Sequence, residues 1–157
     1  MNVAGIAEGG TPASIQSSGA NMIFNNMISR ITTNANSSNN LAAGIFIGNH
    51  IGSTSKIYHN TVLMNSAKFN NSVNPNYAVL IIGASPSSGA SILPAVELKN
   101  NILTSTGSNG TGGNFVIALY VAGKTGAYQN FIADNNDLFV SNGLGVYNAI
   151  GLIGSGN

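Results

Sequence analysis

A two-residue unit ending in asparagine recurs four times along the chain with aliphatic residues at fixed offsets, and this recurrence constrains the fold more than any other feature. The copies run Met22-Ile23-Phe24-Asn25-Asn26-Met27-Ile28, Lys56-Ile57-Tyr58-His59-Asn60-Thr61-Val62, Glu97-Leu98-Lys99-Asn100-Asn101-Ile102-Leu103 and Ile132-Ala133-Asp134-Asn135-Asn136-Asp137-Leu138. Three residues before the second Asn, and two after it, stand Ile23/Ile28, Ile57/Val62, Leu98/Leu103 and Ala133/Leu138. Alternation up to the Asn pair, followed by a change of parity, describes a strand, a two-residue bend and a second strand. Asparagine tolerates the left-handed backbone that such a bend needs.

A second signature alternates with the first. It is a small-aliphatic run ending in Gly or Ala, with copies starting at Ala4, Ala43, Ala78, Ile117 and Ala149. These runs read as a further strand closing at a turn, with glycine supplying positive φ. The second Asn of each pair falls at 26, 60, 101 and 136, in steps of 34, 41 and 35 residues. Two steps together give 75 or 76, so the unit is a coil of about 37 residues, with coils alternating in a two-coil super-repeat. A single coil of short strands cannot bury its inner face, whereas stacked coils form a continuous core. Leucine-rich repeats are shorter, at 20–29 residues, and propeller blades need four strands per unit. The expectation is therefore an all-β chain, with residues 1–157 forming one domain. Its fold class is a right-handed parallel β-helix (β-solenoid) of about four to five coils.

Composition narrows the function classes. Charged residues make up 6% of the chain, against roughly 25% in an average soluble domain. Surface polarity must then come from Asn, Ser, Thr and Gly. There is no apolar run of the ~18 residues that a membrane-spanning helix needs, so membrane insertion is not expected. A net charge of +1 offers no basic face for nucleic acid. The absence of cysteine removes disulfides and thiolate metal sites.

The phrases LKNNILTST, IALYVAG and DNNDLFVSNG, together with the two-coil spacing, resemble right-handed β-helix repeats in very large secreted surface proteins of Bacteroidota. The resemblance covers most of the chain, including Val96 to Gly143. It implies a segment of a longer exported protein, located outside the cell or on its surface, and it brings no assigned activity with it.

Among individual residues, Asn26, Asn60, Asn101 and Asn136 are expected to stack at one bend in successive coils as a structural ladder. Each amide carries both donors and an acceptor, so a column can bond along its own length. His59, in the place of Asn25, Asn100 and Asn135, reads as a ladder substitute and not as a ligand or base. Lys56 with Glu97, and Lys99 with Asp134, should share outward columns and form cross-coil ion pairs worth about 0–1 kcal/mol each. Asp134 and Asp137 are the only close carboxylates. Calcium wants six to eight oxygens, and a glycoside hydrolase needs two carboxyl groups facing across a cleft. Four acids and a single arginine, Arg30, in the whole chain make catalysis and cofactor binding poor expectations.

Phe24 and Tyr58 fall in one outward column beside Lys99, a candidate glycan-stacking face. The alternative is that the long loops Ser66 to Tyr77 and Ala84 to Ala95 fold over these rings. The opening MNVAGIAEGG has neither the basic nor the apolar region of a signal peptide, and both ends resemble coil strands without an amphipathic cap. Uncapped ends point to a piece of a longer solenoid, or to a subunit that self-associates end to end into filaments. The functional expectation is a non-catalytic structural or adhesive extracellular solenoid, with a carbohydrate-binding module as the alternative.

Overall fold

The computed structural model of the chain describes residues 3–9, 20–31, 42–48, 54–66, 76–82, 95–107, 114–122, 131–141 and 146–154. The described residues form strands and bends only. The strands are β1 (Val3–Gly9), β2 (Ala20–Phe24), β3 (Met27–Ser29), β4 (Ala42–Gly48), β5 (Thr54–Tyr58), β6 (Thr61–Ser66), β7 (Asn76–Ile82), β8 (Ala95–Lys99), β9 (Ile102–Gly107), β10 (Asn114–Ala122), β11 (Phe131–Asp134), β12 (Asp137–Ser141) and β13 (Val146–Gly154).

The strands make three parallel sheets, and the chain visits them in turn. Sheet I is β1-β4-β7-β10-β13, sheet II is β2-β5-β8-β11, and sheet III is β3-β6-β9-β12. Each strand therefore pairs with the one three elements later. Sheet I has five strands and the other two have four, so β13 occupies a layer in which neither sheet II nor sheet III has a described strand.

One apolar core joins all three sheets. Sheet II contributes Ile57 and Leu98, sheet III contributes Val62, Met64 and Leu103, and sheet I contributes Ile45, Ile47, Val79, Ile81, Leu119 and Val121. β-Branched and leucine side chains predominate because they fill a pleated interior well. A second, smaller cluster of Ala43, Tyr77 and Ile117, with Phe46 and Tyr120, packs away from the main core. In it the Tyr77 and Tyr120 rings stack at 5.4 Å between centroids.

Sheet I departs from simple alternation. Ala43 belongs to the outer cluster and Ile45 to the core, although they are two residues apart and should share a face. Gly44, between them, also points inward, since a Cβ built on it would lie 2.2 Å from Val62 Cγ1. Two successive residues thus face the core, a small one followed by an aliphatic one: Gly5-Ile6, Gly44-Ile45, Ala78-Val79 and Ala118-Leu119.

This arrangement corrects the register expected for the third copy. Tyr77, not Ala78, aligns with Ala43 and Ile117. Ala78 falls one place later because the small inward column accepts alanine and cannot hold a tyrosine. The expected glycine turn is corrected as well. Gly48 remains in β4 with its φ outside the left-handed region, and its lack of a side chain makes room for the Phe46 ring, 2.6 Å from where a Cβ would stand. The corresponding Gly83 lies outside the described residues.

Candidate functional site

Left-handed backbone is placed one residue earlier than the amide column. Asn25, His59, Asn100 and Asn135 have φ of 56°, 55°, 56° and 51°. Asn and His are among the few side chains enriched there, which explains the shared position. His59 is thus a bend residue with an exposed side chain, not a member of the amide ladder, and this corrects its expected role. The left-handed residue turns the strand, so that residues three before and two after the second Asn both reach the core: Ile57 and Val62, Leu98 and Leu103. Arg30, leaving β3, is a fifth non-glycine residue in this region, at φ 59°; no pattern in the sequence marked it.

The second residue of each bend carries the column. Asn26 Nδ2 donates to Asn60 Oδ1 at 2.9 Å, Asn60 Nδ2 to Asn101 Oδ1 at 3.0 Å, and Asn101 Nδ2 to Asn136 Oδ1 at 2.9 Å. Each acceptor also takes the backbone N–H of the preceding Asn, at 3.1, 2.9 and 3.0 Å. The amides additionally satisfy strand carbonyls: Asn60 Nδ2 reaches Ile23 O and Tyr58 O, Asn101 Nδ2 reaches Ile57 O and Lys99 O, and Asn136 Nδ2 reaches Leu98 O. Asn60 and Asn101 are each only 1% exposed. Burial at that level is tolerable because the polar atoms have partners.

Main-chain bonds tie the bends together on both sides. Asn25, His59 and Asn100 donate their N–H to the carbonyls of Tyr58, Lys99 and Asp134. Thr61, Ile102 and Asp137 donate back to the carbonyls of Asn26, Asn60 and Asn101. The amide-to-amide bonds share a direction, since Asn26, Asn60 and Asn101 each donate to the Oδ1 of the next higher-numbered bend.

The outer face of sheet II carries the other singled-out residues. Phe24, Tyr58, Lys99 and Asp134 form one column, and Met22, Lys56, Glu97 and Ile132 form the next. The expected ion pairs share columns but do not form as such. Lys99 Nζ instead lies 3.4 Å from Glu97 Oε2, a neighbour on its own strand. Tyr58 OH donates to the same carboxylate oxygen. That hydrogen bond, ahead of Lys99 beside it, holds the Glu97 carboxyl below its usual range, while Lys56 acts on it at longer range. The Tyr58 hydroxyl is correspondingly pushed up by its bond to Glu97. Same-strand residues two apart project from one face, and this lets Lys99 reach Glu97 without crossing to the next strand.

Phe24 is 51% exposed and Tyr58 half-buried. Of the loops Ser66 to Tyr77 and Ala84 to Ala95, the alternative cover for these rings, residues 67–75 and 84–94 lie outside the described residues. Sheet III has its own exposed apolar residues, Met27, Leu63, Ile102 and Phe139, which were not singled out because they occupy the variable positions of the repeat. Asp134 and Asp137 are both exposed. Among the described residues, no group of three His, Cys, Asp or Glu side chains converges as a metal site, and no helix is long and apolar enough to cross a membrane.

In comparisons with known proteins, no family model, no curated protein and no solved structure matches this chain.

Proposed function

We propose that the chain is a right-handed parallel β-solenoid with a non-catalytic structural or adhesive role in an exported, cell-surface assembly. The hydrogen-bonded asparagine column carries this reading. It runs through every described bend and is joined to one core shared by three parallel sheets. Such a column stiffens the long axis, because each layer is bonded to the next through both main chain and side chain. Rigidity along an axis is what a spacer or fibre element needs. The likeness of the Asn-pair phrases to Bacteroidota surface repeats supports an extracellular setting.

Mass by light scattering over a concentration series, with negative-stain imaging, separates the two forms of this role. A constant monomer mass identifies a scaffold segment, and growing mass with unbranched fibres identifies a filament subunit. Release of reducing ends from any member of a polysaccharide panel overturns both forms.

A second reading, a carbohydrate-binding module, is favoured by one observation: the exposed Phe24 ring stands beside Tyr58, and the Glu97–Lys99 pair lies on the next strand beyond it. Aromatic faces stack on sugar rings while charged groups orient hydroxyls. Glycan-array binding that Phe24→Ala abolishes supports this reading, and an array without signal removes it.

A further inference from the structure

The outer face of sheet III carries a size alternation that runs in two directions. Along the stack its outward residues form two columns, Met27–Thr61–Ile102–Asp137 and Ser29–Leu63–Thr104–Phe139. On each strand one column holds a large apolar residue and the other a small or polar one. From each strand to the next, the two exchange places. Met27, Leu63, Ile102 and Phe139 are the large set, between 42% and 84% exposed. Ser29, Thr61, Thr104 and Asp137 are the gaps between them. The intervening residues Ile28, Val62 and Leu103 are buried, so the alternation belongs to the outside of the sheet and contributes nothing to the core.

Exposed large apolar residues on successive strands, set among polar ones, mark an interaction surface. Charge says little about its partner, because Asp137 is the one charged residue of the eight. The outer face of sheet II, by contrast, carries Lys56, Glu97, Lys99 and Asp134. Shape must therefore decide. The large residues recur at the ~4.8 Å spacing of paired strands, so a fitting surface repeats that spacing with large and small exchanged. A second copy, given a half-turn about the stacking direction, presents this surface. The half-turn reverses the strands and keeps the layers level, so each column faces the other column of the copy. Leu63 then stands opposite Thr61 of the copy, Ile102 opposite Thr104, Met27 opposite Ser29 and Phe139 opposite Asp137. Each row is matched within itself, and the match is independent of how many layers the stack contains.

We propose that the outer face of sheet III pairs two copies of this chain side by side, with their stacking axes parallel. Large residues of one copy enter the gaps of the other, row by row. The face is small. Four rows of two outward residues, at about 4.8 Å per strand and 3.3 Å per residue, cover roughly 250 Å². A standard interface buries about 800 Å² per partner, so pairing through one such face is weak and reversible. Lateral pairing resists bending, which suits the rigid role proposed above. The inference rests on the solenoid reading and adds a sideways contact to it.

The test is sedimentation equilibrium of the full chain at concentrations up to about 1 mM, where weak affinities are measurable. The mass is expected to rise reversibly from one chain toward two. Thr61→Leu adds apolar surface yet sets two large residues against each other, and should weaken pairing about tenfold or more. Leu63→Thr leaves gap facing gap and should weaken it as well. Both changes together restore large against small and should recover the original affinity. The same exchange in the next row, Ile102→Thr with Thr104→Ile, repeats the test on independent residues. A face that is only sticky would pair more tightly in Thr61→Leu, and that result overturns the inference. So does the mass of a single chain throughout, or association that none of these variants alters. Slow exchange of the Asn60 and Asn101 amides in the native chain and each variant reports the stacked fold separately. If they are protected and pairing fails, only the pairing falls; if they exchange freely in the native chain, the solenoid reading falls with it.

Discussion

Asn101 and Asn26 occupy equivalent bends, yet they stand in very different surroundings. Asn101 accepts two bonds at Oδ1, donates through Nδ2 to three oxygens, and is buried. Asn26 donates along the column and to Phe24 O, remains partly exposed, and receives no amide from a preceding bend among the described residues. The contrast shows that a repeated residue has no fixed energetic weight. Its worth depends on how many neighbours are left unpaired when it is removed, and on whether water can take its place.

The largest test of that contrast is Asn101→Leu. It strips the acceptor from Asn60 N–H and Nδ2 and the Nδ2 donor from Asn136 Oδ1, Ile57 O and Lys99 O, and should destabilise the fold by about 3 kcal/mol in urea unfolding. Asn26→Leu leaves Asn60 Oδ1 with the backbone N–H of residue 26 and frees only the exposed Phe24 carbonyl, and should cost about 1 kcal/mol; equal losses would break the comparison.

Next in size is a glycine pair from sheet I, one packed against the core and one facing open space. Gly44→Ala forces a Cβ against Val62 and the Ala78 carbonyl and should lower stability by about 2 kcal/mol. Gly151→Ala meets open space and should change it by less than about 0.5 kcal/mol.

A smaller effect of opposite sign is expected at Ser105. Its hydroxyl is buried in the middle of sheet III without a partner, whereas the equally buried Ser55 is engaged. Ser105→Ala should therefore raise the unfolding midpoint, by about 1 kcal/mol in free energy, and Ser55→Ala should lower it.

The pH dependence sharpens the comparison at its weakest end. Glu97, its carboxyl held low chiefly by Tyr58 OH, contributes stability above the ordinary carboxylate pKa. That contribution disappears as pH falls through the lowered folded value. The acid limb should flatten slightly in Glu97→Gln, because the group is solvent-screened. Tyr77 behaves in the opposite sense. Burial pushes its hydroxyl above the ordinary value of about 10. Stability is complete below that value and declines as pH rises past it, and Tyr77→Phe should flatten this alkaline limb.

Much of the architecture was legible because the repeat encodes it twice. The Asn pairs marked the bends between sheets II and III, and the paired aliphatic positions marked which side chains share the core, except for Ala133, which is exposed. The columns Phe24–Tyr58–Lys99 and Lys56–Glu97 followed from the same alignment. Sheet I was harder to read. Its runs are small and aliphatic throughout, so Tyr77 and Ala78 could exchange places in an alignment without breaking any pattern. Only the narrow inward column distinguishes them.

The sequence by itself determined the period, the bends, the asparagine column and the inward aliphatic set. These follow from local backbone preference and from which side chains avoid water, and both are properties of residue order. Only the tertiary structure decided that the left-handed residue precedes the ladder amide, that Lys99 turns to Glu97 along its own strand, and that the amide-to-amide bonds of the ladder share one direction. Those outcomes depend on distances between residues far apart in the chain. Hydrogen-bond direction and steric fit act over a few ångströms, and they take effect once the layers are stacked.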